Sequence, residues 1–205
     1  TPAGWKASLA EARTAIDRKP PRSLLIIGDP LAGKSSLLRL LARDLAKSGW
    51  QVFEASGPDL QAGMQWIGQL EERIRRLIEE VGAGKKVIWY VPDLLHLARS
   101  GTHQGQSASI LDQLIPAITS GRLVVWSEAT PAAAGRLVQM RPGLRRQFEM
   151  LRLEPMEADE TLALVETVGK TLVAKASLSI APGTGTISSA MRAFHFLHWK
   201  KASKS

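Results

Sequence analysis

The stretch Gly28-Asp29-Pro30-Leu31-Ala32-Gly33-Lys34-Ser35-Ser36 gathers two glycines, one lysine and two hydroxyls into nine consecutive residues. Its first eight residues satisfy the spacing G-x-x-x-x-G-K-[ST]. The two glycines let the backbone curl until successive N–H groups point into one hollow, the arrangement that holds phosphate oxygens. Lys34 then supplies a cation to bridge the β and γ phosphates, and Ser35 an oxygen ligand for Mg²⁺. A helix opening directly behind such a loop adds the positive end of its dipole. Residues Gly28 to Ser36 are therefore the expected seat of a purine nucleoside triphosphate with Mg²⁺. ATP is the nucleotide expected, and the loop by itself does not distinguish it from GTP.

The elements around the loop have the order this chemistry needs. Ser23-Leu24-Leu25-Ile26-Ile27 is a continuous apolar run bounded by Pro21 and Gly28, the length and flanks of a fully buried strand. Behind the loop, Leu37, Leu38, Leu41, Leu45 and Ala46 repeat at helical spacing as far as Gly49. Before it, Leu9, Ala12 and Ile16 predict an entry helix that Lys19-Pro20-Pro21 stops. The alternation continues with strands at 51–55, 87–91, 123–126 and 150–153. Between them fall helices at about 64–81 and 107–119 and a short basic helix from Pro142. Strands alternating with helices predict an α/β three-layer sandwich, a mainly parallel sheet covered on both faces. That domain is expected over residues 1–155, and residues 156–205 form a small helical subdomain with helices at 157–176 and 187–200 and a turn at 182–185.

Composition narrows the class without naming it. The 205 residues are 44% apolar, enough for a buried core. Cysteine is absent, which removes disulfides and thiolate metal sites. His96, His103, His195 and His198 form no metal-ligand grouping with acids or with one another. No run approaches the roughly 20 apolar residues of a membrane span, so no membrane partner is expected and the reading is a soluble cytoplasmic protein. The net charge of +8 favours polyanions and leaves nucleic acid among the partners, although the basic residues are scattered.

Several pieces in order resemble the first ATPase module of Clp-type AAA+ unfoldases and disaggregases. They are the loop itself, Ala62-Gly63 with Gly68, Leu70-Glu71-Glu72-Arg73-Ile74, Val87-Ile88, Asp112 with Leu114, Pro116 and Gly121, and Glu154-Pro155 with Glu160-Thr161. The similarity runs through most of residues 23–195. It implies a P-loop NTPase fold of the AAA+ kind with a helical lid, assembly into a homo-oligomer (a hexameric ring or filament), and action on polypeptide. By the same resemblance Trp66, between Gly63 and Gly68, takes the place of the aromatic residue that grips an extended polypeptide in the central pore. Arg146 takes the place of one of the paired arginines that reach a neighbouring subunit's γ-phosphate, and Gln147 replaces the other. Thr130 is the nearest match to the polar residue that senses the γ-phosphate, with Ser127 as its substitute if the strand ends earlier.

The departures bear on turnover. The family places two adjacent acids at the end of the third strand, one holding the Mg²⁺ shell and one polarising the attacking water. Here the segment is Val91-Pro92-Asp93-Leu94-Leu95. Aligned without a gap, Pro92 replaces the metal acid and Asp93 stands at the water-activating position. Shifted by one, Asp93 is the metal acid, acting through Mg²⁺-bound water, and Leu94 replaces the base. In either register one carboxylate is missing, so the expectation is ATP binding with weak or absent hydrolysis. The alternative is a nucleotide-binding assembly or scaffold module, with a nucleic-acid-handling ATPase behind it. The match to the lid, through Ile187-Ser188-Ser189-Ala190, stops short of the family's last lid helix, so a partial lid is expected.

Overall fold

The computed structural model describes residue 2 and residues 4–63, 68–82, 86–101 and 108–176. Among the described residues, those from Gly4 to Pro155 make one compact unit, and those from Met156 to Ala176 belong to a second.

The first unit is built on five strands: β1 Ser23–Ile27, β2 Gln51–Glu54, β3 Val87–Asp93, β4 Val124–Ala129 and β5 Phe148–Arg152. They lie in the order β2-β3-β4-β1-β5. Every pairing is parallel. The helices between them are α1 Trp5–Asp17, α2 Lys34–Ala46, α3 Gly57–Gln61, α4 Gln69–Gly82, α5 Leu94–Arg99, α6 Ile110–Thr119, α7 Pro131–Met140 and α8 Leu144–Gln147. The second unit contributes α9, Ala158–Ala176, which opens with Asp159 and Glu160 in its first turn, where the helix dipole favours acids.

Strand periodicity sorts the core into two faces. Leu25, Trp89, Val91 and Val125 join an apolar cluster with Leu94 and Leu97 of α5, Leu111 and Leu114 of α6, and Leu137 of α7. The alternate residues Leu24, Ile26, Ile88 and Trp126 are buried on the opposite side. On the helices, Leu37, Leu38, Leu41 and Leu45 of α2 and Ala12 and Ile16 of α1 are also buried. Each such leucine contributes about 1.5–3 kcal/mol when taken from water, so the α2 stripe fixes the helix that follows the loop. Two polar groups are absorbed by the backbone: the Trp89 indole N–H donates to the Ala55 carbonyl at 2.9 Å, and the Ser23 hydroxyl accepts from the Val125 amide at 2.8 Å.

The sheet matches the expected parallel sandwich, and its details differ at several ends. β4 runs to Ala129 where an end at Trp126 is expected, and β5 starts at Phe148, two residues before the expected Met150. Helix α6 begins at Ile110, because Ser109 and Asp112 form a reciprocal capping box that fixes the start there rather than at Ser107. The basic helix begins at Leu144, two residues beyond Pro142.

Three helices were not expected, and each carries a capping signal. Ser56 and Asp59 box the start of α3. Asp93 caps α5, and Thr130 caps α7 with Pro131 in its first turn. β3 continues past Val91 through a bulge at Pro92, where proline has no N–H to give the ladder. The expected turn at 182–185 and helix at 187–200 lie outside the described residues.

Candidate functional site

β1 delivers the chain to Gly28 between two neighbouring strands. The Gly28 N–H donates to the Ala129 carbonyl at 3.1 Å, and the Leu153 N–H to the Ile27 carbonyl at 2.7 Å. A Cβ at Gly28 would stand 2.5 Å from the Leu153 carbonyl oxygen, so glycine is what lets β5 pass this close. The Ala32 N–H then turns back to the Asp29 carbonyl at 3.2 Å. Leu31 and Gly33 take φ of 67° and 94°, and the Leu31 side chain is 81% exposed.

Gly33 is the N-cap of α2, and no side chain caps that helix. A Cβ there would fall 2.3 Å from the ring of Trp5, which α1 lays against the loop, and the left-handed φ disfavours other residues as well. The leading amides of α2 thus have no side-chain acceptor, and a dipole stands behind them. The Lys34 ammonium donates to the carbonyls of Gly28 and Asp29, at 3.0 and 2.7 Å, lying across the mouth of the loop it is expected to share with phosphate.

Ser35 leads to a residue that the sequence reading did not single out. Its hydroxyl donates to Glu128 Oε2 at 3.0 Å, and the Tyr90 hydroxyl donates to the other carboxylate oxygen, Oε1, at 2.5 Å. Burial, followed by the Glu128 carboxylate, pushes the Tyr90 phenol well above its ordinary value, so it remains a donor throughout the neutral range. The sheet order explains the meeting. β4 lies between β1 and β3, with Glu128 in register with Ile26 on one side and Asp93 on the other. The signal in the sequence was an acid two residues past an apolar run. With β4 expected to end at Trp126, that acid falls in a loop and carries no role.

The other expected residues are placed as follows. Asp93 ends β3, and its carboxylate accepts the His96 N–H at 3.1 Å as the cap of α5. The carboxylate on Ser35 is therefore that of Glu128 and not that of Asp93. Thr130 lies one residue beyond β4, its hydroxyl accepting the Ala133 N–H at 3.2 Å. Ser127 is fully buried on β4.

Arg146 belongs to α8, just before Phe148, which pairs with the first residue of β1. It therefore sits at the end of the sheet opposite its own loop, about 15 Å away for a five-residue strand. There it lines a basic cleft with Arg18, Lys19 and Arg22. Trp66 lies outside the described residues.

The donor set suits a magnesium nucleotide. A hydroxyl and a carboxylate, both hard oxygens, meet at Ser35 and Glu128 beside a curled loop whose amides face no side-chain acceptor. Magnesium takes one or two protein oxygens and completes its octahedron with water and phosphate. No group of three or more His, Cys, Asp or Glu that could cage a metal occurs among the described residues. No helix among them is long and apolar enough to cross a membrane.

Comparison with known proteins agrees with this geometry. Residues 24–152 match the family described as the ATPase family associated with various cellular activities (AAA). The chain is 25% identical over 160 residues to the ATP-dependent Clp protease ATP-binding subunit ClpA homolog of Brassica napus, covering 74% of this chain and 18% of the relative. It is 26% identical over 157 residues to chaperone protein ClpB 2 of Parasynechococcus marenigrum, covering 73% and 17%. It thus spans about a fifth of the length of the curated relatives it matches. Among solved structures it shares its fold with an Hsp104–casein complex of S. cerevisiae, at a TM-score of 0.74 and 18% identity, covering 87% of this chain and 31% of that one. An Hsp104 closed state with ATPγS and casein gives a TM-score of 0.73 at 18% identity, covering 85% and 31%.

Proposed function

The chain belongs to the ATPase family associated with various cellular activities, as a Clp-like module, and from that premise we propose that it is an ATP-binding ring component with slow hydrolysis. One observation carries this reading. A complete phosphate loop, with Lys34 and Ser35 in place, stands beside a third strand that ends in a single acid already capping α5.

Each part has a defined task. The amides of residues 31–36 cradle phosphate oxygens, and Lys34 leaves the carbonyls of Gly28 and Asp29 to bridge the β and γ phosphates. Magnesium, when bound with the nucleotide, neutralises charge building up on the transferred phosphoryl group. Asp93 is the carboxylate left at the end of β3 to orient water, and its commitment to the His96 amide restricts that use. Losing an effective general base typically costs 10²- to 10⁴-fold in rate.

Arg146, remote from its own loop, acts across a subunit interface on a neighbour's nucleotide. Trp66, which lies outside the described residues, is proposed on the family resemblance alone as the residue that grips extended polypeptide. Residues 1–155 are the nucleotide-binding domain and residues 156–205 a lid-like subdomain. The basic residues are scattered along the sequence, and arginines 13, 22, 75, 76 and 141 are engaged with carboxylates, which weighs against nucleic acid as the main partner.

The test pairs turnover with solution mass. Purified protein should release phosphate at a rate at least about 10²-fold below the roughly 10 s⁻¹ of a typical enzyme. Its mass by light scattering should rise to a multiple of the protomer when ATP and Mg²⁺ are added. Brisk turnover contradicts slow hydrolysis, and an unchanged monomer contradicts the ring.

A further inference from the structure

We propose that Glu128, from β4, supplies the metal-shell carboxylate that β3 lacks; the inference rests on the nucleotide-binding reading above. In the gapless register Pro92 stands where the third strand would offer that acid, and proline has no ligand to give. The sheet order leaves one other backbone path between the loop and β3, and that path is β4. Position 128 faces both neighbours, opposite Ile26 two residues before the loop and opposite Asp93 at the end of β3.

The chemistry at that point is that of a cation site. Glu128 is half-buried, and its two oxygens take hydroxyls from Ser35 and Tyr90. Among the described residues no basic side chain pairs with it, since Lys34, the nearest in sequence to Ser35, donates to backbone carbonyls. A sheltered carboxylate is costly unless a positive charge compensates it. A divalent ion joining the Ser35 hydroxyl provides that charge. Hydrogen bonding from Ser35 to Glu128 is the relation that lets a carboxylate orient a metal-ligating hydroxyl and accept from metal-bound water.

Tyr90 is a positioning residue. Its hydroxyl holds Oε1, leaving Oε2 aimed at Ser35. The gap in β3 therefore removes the acid from its usual strand while the neighbouring strand restores it on the α2 face of the sheet. Asp93 is then left with the role of orienting water, in agreement with the gapless register.

Calorimetric titration of ATP, in Mg²⁺ and in EDTA, reads this without relying on turnover. The unchanged chain should bind ATP more tightly in Mg²⁺ than in EDTA. Glu128→Gln, nearly the same shape but with a single acceptor oxygen for the two hydroxyls, should lose about tenfold or more of the Mg²⁺ gain, read as the ratio of its own affinities in Mg²⁺ and in EDTA. Tyr90→Phe should lose a smaller part of it, and Asp93→Asn should keep it. A Mg²⁺ gain that survives Glu128→Gln, or that disappears in Asp93→Asn alone, overturns the assignment. Failure of the unchanged chain to bind ATP in either buffer overturns the nucleotide reading and this inference with it. A thermal melt of each variant distinguishes a lost metal effect from a lost fold: a Glu128→Gln protein that melts as the unchanged chain does and keeps its full Mg²⁺ gain counts against the proposal.

Discussion

Removing the Arg141 side chain should destabilise the first unit by about 1.5 kcal/mol and flatten part of its acid sensitivity. Arg141 is the C-cap of α7, and its guanidinium grips both carboxylate oxygens of Asp112 on α6, Nε at 2.5 Å and Nη2 at 2.6 Å. The two side chains are 27% and 29% exposed, so water screens the pair only in part. Exposed pairs contribute about 0.2–1 kcal/mol, and hydrogen bonds to charged groups about 1.5–3 kcal/mol, which places this sheltered bidentate pair near 1.5 kcal/mol.

Asp112 also closes the capping box with the Ser109 amide, at 2.8 Å, so Asp112→Ala should cost about 1 kcal/mol more. At roughly 2–4 °C per kcal/mol for a chain of this size, Arg141→Ala should lower the melting temperature by about 3–6 °C. The Arg141 guanidinium, the leading cause, holds the Asp112 carboxyl below the usual carboxylate range. A group depressed on folding contributes fully above its unfolded value, near 4, and loses that contribution as pH falls through its folded value.

The difference between the unchanged chain and Arg141→Ala should therefore be constant from about pH 5 to 7 and shrink below about pH 4. Urea unfolding of both single variants and the double variant at pH 7 and pH 3 measures this directly. Additive single-variant costs at pH 7, or a difference that grows as pH falls, would refute the reasoning.

Gly33→Ala should abolish ATP binding while leaving most helical content, because a Cβ at φ 94° would also meet the Trp5 ring at 2.3 Å. Calorimetry with circular dichroism checks it, and full affinity in the variant would show that the loop does not need this backbone. Trp66→Ala should stop ATP-dependent movement of an unfolded polypeptide such as casein with ATP affinity unchanged, read by fluorescence loss of a labelled substrate; equal rates would remove Trp66 from the pore. Arg146→Ala should leave ATP affinity of the protomer intact and lower phosphate release by the assembled form. A loss of binding in the monomer would place that arginine at its own loop instead.

The loop and the sheet were legible because their signals are local. The run Ser23 to Ile27 is apolar on both faces, as a central parallel strand must be, and the G-x-x-x-x-G-K-[ST] spacing follows it at once. The helical stripe of α2 was equally readable from its leucines. The short helices α3, α5 and α7 were less so, since five to ten residues give little periodicity. Their evidence lay in caps, Ser56, Asp93 and Thr130, whose partners are backbone amides three residues on.

Glu128 was hidden for a different reason. An acid after an apolar run reads as the end of a strand, and what keeps β4 going are hydroxyl partners contributed by Ser35, 93 residues away, and Tyr90, 38 residues away. Neither is visible without knowing that β4 lies between β1 and β3. A second tertiary fact, the parallel pairing of β5 with β1, separates Arg146 from its own loop, a relation that spacing in the chain cannot carry.

The central claim is that backbone amides of residues 31–36, with the Lys34 ammonium, hold a nucleoside triphosphate. Calorimetric titration of ATP and Mg²⁺ into the unchanged chain and into Lys34→Ala tests it most directly. Saturable one-site binding by the first and none by the second is the predicted result; equal affinity in the two, or no binding by the unchanged chain, would contradict it.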